Sequence, residues 1–322
     1  MVRVGLISLS LLLLAACGTS PAPEQEGGEV AAGCGTTAPL RAPLLGAFDL
    51  DTLIGAHDVL LVDVRPDSLY ASGHIAGAVQ VWRPDYASAN YSYGGMALER
   101  DALAALMDSL GAGPETHVVA YDGKNGCDAA RLWWMLKRYG HDRAWVLEDC
   151  ADGYAHKRGT SLSTGWPTAP VAGGFVFSDP QDDSWVISKD ALHAALEDPS
   201  TLIIDTRSKE EYRGDYIKKG AARPGHIPGA VFWDWNYALQ SDTSATVWPT
   251  SVMRGQLEAR DIRDLDAYDR VVVYCHSGVR SAHTTLVLRE LLGHQHVTNY
   301  DGSWTEWSHH PDLPAATVEK QQ

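Results

Sequence analysis

The chain has 322 residues, 45% of them hydrophobic, and a formal charge of −15 at neutral pH. That length supports two domains with cores of ordinary size and sets aside a disordered chain. A strongly acidic chain offers no basic face to a polyanion, so nucleic acid is excluded as a partner and small-molecule chemistry is favoured.

The chain opens with "MVRVGLISLSLLLLAACGTS", one arginine followed by an apolar run too short to cross a bilayer comfortably. Its end, Leu14-Ala15-Ala16-Cys17, resembles a bacterial lipoprotein signal. The resemblance implies cleavage after residue 16 and lipidation of Cys17, hence an exported protein anchored to membrane by acyl chains, periplasmic or at the outer cell surface. An ordinary secretory peptide is the alternative. Residues 17–42 are rich in Gly, Pro, Ser and Glu and read as a tether; Cys34 lies within it.

Beyond the tether the chain repeats itself. "LLVDVR" at Leu60 to Arg65 returns as "LIIDTR" at Leu202 to Arg207, and "GHIAGAV" at Gly73 to Val79 as "GHIPGAV" at Gly225 to Val231. "VVAYD" ending at Asp122 returns as "VVVYC" ending at Cys275, and each is followed by an apolar helix closing on Gly-His, Gly140-His141 and Gly293-His294. The units span 43–163 and 185–318, joined by a Gly/Pro-containing linker over 164–184. Continuous apolar strands alternating with helix-length segments predict an α/β fold in which a mainly parallel sheet has helices on both faces.

Cys275 follows one of these strands, at the carboxyl edge where open α/β sheets place ligands. A buried structural cysteine is the plain alternative. The loop His276, Ser277, Gly278, Val279 is small and polar where a core needs bulk, and Arg280 opens the next helix. Amides of such a loop form an anion cradle and lower the thiol pKa, so that a thiolate there is a nucleophile. Four residues separate Cys275 from Arg280, one fewer than the Cys-(x)5-Arg ring that encloses phosphate. The tighter ring suits a single sulfur atom.

The loop "CHSGVRS", with "GHIPGA", the "DTR" strand end and "NYDGSWTEW", resembles the rhodanese family of sulfurtransferases over both repeats, about residues 45–315. The resemblance implies two tandem rhodanese-like domains, the second catalytic and the first degenerate. It implies attack of Cys275 on a donor such as thiosulfate, a persulfide, and transfer to cyanide or a thiol acceptor, without metal or organic cofactor. The amides of His276, Ser277, Gly278 and Val279 are expected to cradle the sulfur, and Arg280 or His276 to hold the donor's sulfonate. 3-Mercaptopyruvate sulfurtransferase and a persulfide carrier without turnover are alternatives. Those mercaptopyruvate enzymes typically carry a nearly uncharged loop; Arg280 and His276 therefore favour thiosulfate, as does Glu211 where a carboxylate-gripping arginine is usual, with Arg213 able to compensate.

Aligning the repeats sets Asp122 opposite Cys275 and Cys127 opposite Arg280, so the first loop lacks its nucleophile. Asp205 and Arg207 order the site or form a surface ion pair; Arg223 steers the donor or lies in a solvated loop. His74 and His226 occur in both units and read as structural. His309-His310 lacks companions at metal spacing, and Trp304 and Trp307 close the core. In an oxidising compartment Cys127 and Cys150, after neighbouring strands of a rhodanese-like sheet, are expected to form a disulfide.

Overall fold

The computed structural model describes residues 43–166, 170–241, 244–262 and 264–318; Cys17, Cys34 and the expected signal and tether lie outside them. Among the described residues no helix is long and apolar enough to cross a membrane.

The first unit runs β1 (Leu44–Leu45), α1 (Ala47–Ala56), β2 (Val59–Asp63), α2 (Asp67–Ser72), β3 (Val79–Gln80), α3 (Arg100–Ser109), β4 (His117–Tyr121), α4 (Cys127–Arg138), β5 (Ala144–Leu147) and α5 (Ala151–Arg158). The second runs β6 (Val186–Ile187), α6 (Lys189–Ala194), β7 (Thr201–Asp205), α7 (Lys209–Arg213), β8 (Val231–Phe232), α8 (Thr250–Glu258), β9 (Arg270–Tyr274), α9 (Val279–Thr285), β10 (Val297–Tyr300) and α10 (Ser303–His309). Each unit builds one five-stranded sheet, ordered β1-β5-β4-β2-β3 and β6-β10-β9-β7-β8. All the strand pairs are parallel. β4 and β9, the strands leading to Asp122 and Cys275, are therefore the central ones.

The apolar runs explain the layering. Successive strand residues face opposite sides, so Leu60 and Val62 pack towards α3 and α4, while Leu61 packs towards α1 and α5. In the second unit Leu202, Ile204, Val271 and Val273 meet Met253 and Leu257 of α8. Ile203 and Val272 meet Leu192 of α6 and Trp304 and Trp307 of α10. A strand buried on both faces must be apolar at every position, which is why these strands read as continuous runs.

The two units share a core. α4 packs on α9, and Ala282 of α9 and Leu286 just after it, with Trp185, join the cluster built by Trp133, Trp134 and Leu136 of α4. The Trp134 indole donates to the Trp185 carbonyl across the linker.

Candidate active site

Cys275 sits directly after β9 and is 1% exposed. The loop from Cys275 to Gly278 is fastened from outside by α10. The amides of Cys275 and Gly278 donate to the Ser303 hydroxyl at 3.1 and 3.0 Å, and the carbonyls of Cys275 and His276 accept from the amides of Trp304 and Thr305. Ser303 holds a left-handed conformation, φ 52°, to meet both amides. Gly278, φ 74°, turns the chain into α9.

Fastened this way, the loop presents its remaining donors to sulfur. Burial pushes the Cys275 thiol up, but the Arg280 charge, the Ser281 hydroxyl and the amides of Ser281 and Ser277 more than offset it and hold the thiol below its usual range. The cradle is thus narrower than expected: Ser277 contributes its amide, whereas the Gly278 amide is committed to Ser303. Ser281, absent from the sequence expectation, lies close enough for its hydroxyl and amide to favour the thiolate, and that buried hydroxyl has no other partner among the described residues.

The first unit makes the same cradle and fills it permanently. The Asp122 carboxylate accepts from the amides of Lys124, Gly126 and Asp128, each at 3.0 Å. The second and sixth residues after Asp122 thus match the second and sixth after Cys275, the pairing that repeat alignment predicts. The helices differ: α4 begins at Cys127, five residues after Asp122, and α9 at Val279, four after Cys275. Cys127 therefore matches Val279 in helix position, not Arg280. The residue lost from the tighter cysteine loop is recovered in a π-turn at Leu286–Leu291, the one-residue helical insertion that brings both helices back into register at Gly140 and Gly293.

Around the sulfur the charges are arranged differently from the sequence expectation. Arg280 is clamped bidentately by Glu211, Nη1 to Oε2 at 2.7 Å and Nη2 to Oε1 at 2.9 Å. Burial works to raise Glu211, but Arg280 brings its carboxyl down to about 2, so the pair stays ionised through the physiological range. Glu211 is turned to Arg280 instead of repelling donors, and Arg280 tunes the thiol instead of lying free for a sulfonate. His276 is no cation either. Desolvation, reinforced by Lys218, lowers it to about 4, and its Nε2 pairs with the Lys219 carbonyl at 3.0 Å. That bond docks the loop carrying Lys218, whose ammonium stands in the fields of Arg280, Glu211 and Cys275. Sequence reading passed Lys218 over as part of a solvated stretch. Asp234, two residues beyond β8, is likewise new: burial pushes it up to about 6 beside Arg280 and Glu211.

Several expected site residues lie elsewhere. Arg223 spends its guanidinium on the carbonyls of Trp307, His310 and Leu313, pinning the chain after α10. Arg213 pairs with Asp215. Asp205 and Arg207 form a buried bidentate pair, 0% and 2% exposed, that also reaches the Tyr274 hydroxyl and the Gly225 carbonyl. Asp63 and Arg65 repeat the pair and reach the Gly73 carbonyl. The pair therefore belongs to the scaffold of both units. His74 and His226 stack on Tyr70 and Tyr212 in the same way.

Cys127 and Cys150 are free thiols, not a disulfide. β4 and β5 are neighbours, but the residues after them diverge. Cys127 opens α4 among Asp128, Asp122 and Arg83, whereas Cys150 precedes α5 beside Gly153 and Lys157.

A central-strand cysteine in an amide cradle, repeated with a carboxylate in its place, defines a tandem α/β protein built for thiolate chemistry on a small anion. The chain belongs to the rhodanese family: the Rhodanese-like domain matches residues 47–157 and 188–310. It is 34% identical over 275 residues to a thiosulfate sulfurtransferase of Azotobacter vinelandii, covering 83% of this chain and 94% of that one. It is 33% identical over 273 residues to the sulfur carrier protein TtuD of Thermus thermophilus, covering 81% and 92%. The crystal structure of the 3-mercaptopyruvate sulfotransferase SseA from Escherichia coli shares its fold, with TM-score 0.71 and 24% identity over 82% of this chain and 99% of that one.

Proposed function

We propose that the chain is a thiosulfate sulfurtransferase. The Cys275 thiolate attacks the outer sulfur of thiosulfate, forming the S–S bond as the sulfur–sulfur bond of the donor breaks and sulfite leaves with its electron pair. Cyanide or a thiolate then takes the outer sulfur, releasing thiocyanate or a new persulfide and restoring the Cys275 thiolate. The observation that carries this reading is the depressed thiol of Cys275, held by Arg280, Ser281 and Ser277 in a ring too small for a phosphate. Lys218 supplies the donor's counter-charge, and the likeness to the Azotobacter enzyme supports thiosulfate as donor. The test is kcat/KM for thiosulfate and for 3-mercaptopyruvate with cyanide as acceptor. Thiosulfate is expected to be preferred, and Cys275→Ser to lose activity with either donor; a wild-type preference for mercaptopyruvate overturns the donor assignment.

The likeness to TtuD favours a second reading, a persulfide carrier. It predicts that Cys275 loads at once but turns over only with a protein acceptor. From the Leu14-to-Cys17 segment we further propose export and lipid anchoring at Cys17. Incorporation of labelled fatty acid, lost in Cys17→Ser, tests it.

A further inference from the structure

We propose that Arg131, on α4 of the unit without a nucleophile, is a positioning residue for Cys275. This rests on the assignment of Cys275 as the reacting group. Arg131 is 2% exposed and its guanidinium lies 4.9 Å from the Trp134 ring centroid. Nη2 pairs with Asp301 Oδ1 at 2.5 Å and donates to the Gly95 carbonyl at 2.9 Å; Nη1 donates to the Gly278 carbonyl at 3.3 Å. Asp301 follows β10, Gly278 is the hinge of the cysteine loop, and Gly95 lies between β3 and α3 of the first unit, against Ser277 of that loop. One side chain thus grips all three.

The grip falls at the junction of the loop with α9, beyond the fastenings that α10 supplies. α10 holds the peptides of Cys275 and His276 and the amide of Gly278, but the Gly278 carbonyl, which takes the Ala282 amide of α9 at 3.2 Å, receives its side-chain donors from Arg131 and from Asn299 at 3.3 Å. The plane of this peptide sets the entry of α9 and so the aim of the Ser281 amide at sulfur. Hydrogen bonds weaken steeply with misalignment, so a small rotation there removes thiolate stabilisation without unfolding anything. The fit is close: a Cβ at Gly278 would stand 2.7 Å from Arg131 Nη1, and one at Gly95 2.5 Å from the Ser277 Cβ. Asp301 balances the guanidinium charge and also accepts the Ala97 amide at 2.9 Å. Arg131 therefore acts on the sulfur through geometry, in contrast to Arg280, which acts through its field.

The test compares Arg131→Met and Arg131→Lys with Tyr93→Phe, which removes a different bond between the units, Tyr93 to Glu306. For each, the pH dependence of Cys275 alkylation is followed by peptide mass spectrometry, so that Cys127 and Cys150 do not contribute. Steady-state kcat/KM for thiosulfate and Tm are measured alongside. Arg131→Met is expected to move the alkylation midpoint upward and to lower kcat/KM at least roughly tenfold, about 1.4 kcal/mol of barrier. Arg131→Lys is expected to fall between it and wild type, and Tyr93→Phe to leave both readouts in place. A lowered Tm with a wild-type alkylation profile and kcat/KM in folded Arg131→Met, or in Arg131→Lys where the former does not fold, overturns the proposal. Full activity in Cys275→Ser would instead defeat the assignment on which it rests.

Discussion

At the scale of single residues, the site is a set of opposed electrostatic effects, and each makes a distinct prediction. Arg280 and Glu211 form a partly buried bidentate pair, and the field of the guanidinium is the largest influence favouring the thiolate. Arg280→Thr is expected to raise the alkylation midpoint of Cys275 and to narrow the preference for thiosulfate, leaving Glu211 an unpaired buried carboxyl. An unchanged donor ratio would show that Lys218, not Arg280, sets specificity. Asp234 predicts a second pH effect. Its carboxyl is raised to about 6, so the neutral form is the favoured one in the fold and its contribution to stability is lost as pH rises through 6. Asp234→Asn is therefore expected to raise Tm at pH 8 and not at pH 4. It should also remove a fall in kcat/KM for the dianionic donor between pH 5 and 7, read from the two profiles. His276, lowered to about 4, should contribute no inflection near its ordinary value. The places of Cys275, Arg280 and Asp122 were legible in the sequence because they follow a strand, whereas the pairing of Arg280 with Glu211 was not. Arg213 and Arg223 were not, since an arginine near the site in sequence finds carbonyls and carboxylates of its own in space.

At the scale of elements, the cysteine loop and the helix that follows it are coupled. The cysteine loop of the second unit is one residue shorter than its counterpart, and the π-turn at Leu286–Leu291 takes up the difference. The equal spacing from Asp122 to Gly140 and from Cys275 to Gly293 hides this exchange from any reading of the sequence. Both strand and helix end align, so the shift lies between two landmarks. Gly278→Ala tests how tightly the shorter loop is built, because a side chain there takes an unfavourable φ and meets Arg131, the Asp301 carbonyl and the Asp301 carboxylate within 3 Å. It is expected to cost about 1–3 kcal/mol of stability and to lower kcat/KM more than tenfold, measured by chemical denaturation and steady-state kinetics. Ser303→Gly separates two roles of one residue. It relieves the left-handed backbone but strands the amides of Cys275 and Gly278, so a net loss of about 1–3 kcal/mol is expected from denaturation. The strands themselves were readable because burial on both faces demands apolar residues throughout. The expected disulfide failed at this scale too, since neighbouring strands do not oblige the loops after them to point the same way.

At the scale of the whole molecule, the repeat sets a cysteine after the central strand of one unit and a carboxylate after that of the other. Asp122 holds, in the first unit, the position of the anion that Cys275 becomes in the second. That unit supplies Trp133 and Trp134 to a core that includes Ala282 and Leu286 of the second unit. A shared core predicts one cooperative transition for residues 43–318 by calorimetry; two separated transitions would show the units to be independent. The two-unit architecture is evident in the amino-acid sequence itself, because the landmarks of the repeat fall in the same order twice. The contacts between units are not, for Arg131 and Asp301 carry no signal except their types. The account as a whole turns on sulfur passing through Cys275. The direct measurement is the mass of the Cys275 peptide after brief exposure of the whole protein to thiosulfate and then to cyanide. A gain of one sulfur atom on that peptide, absent from Cys127 and Cys150 and removed by cyanide as thiocyanate forms, is the result predicted. Thiocyanate production with Cys275 unmodified, or persisting in Cys275→Ser, would contradict it.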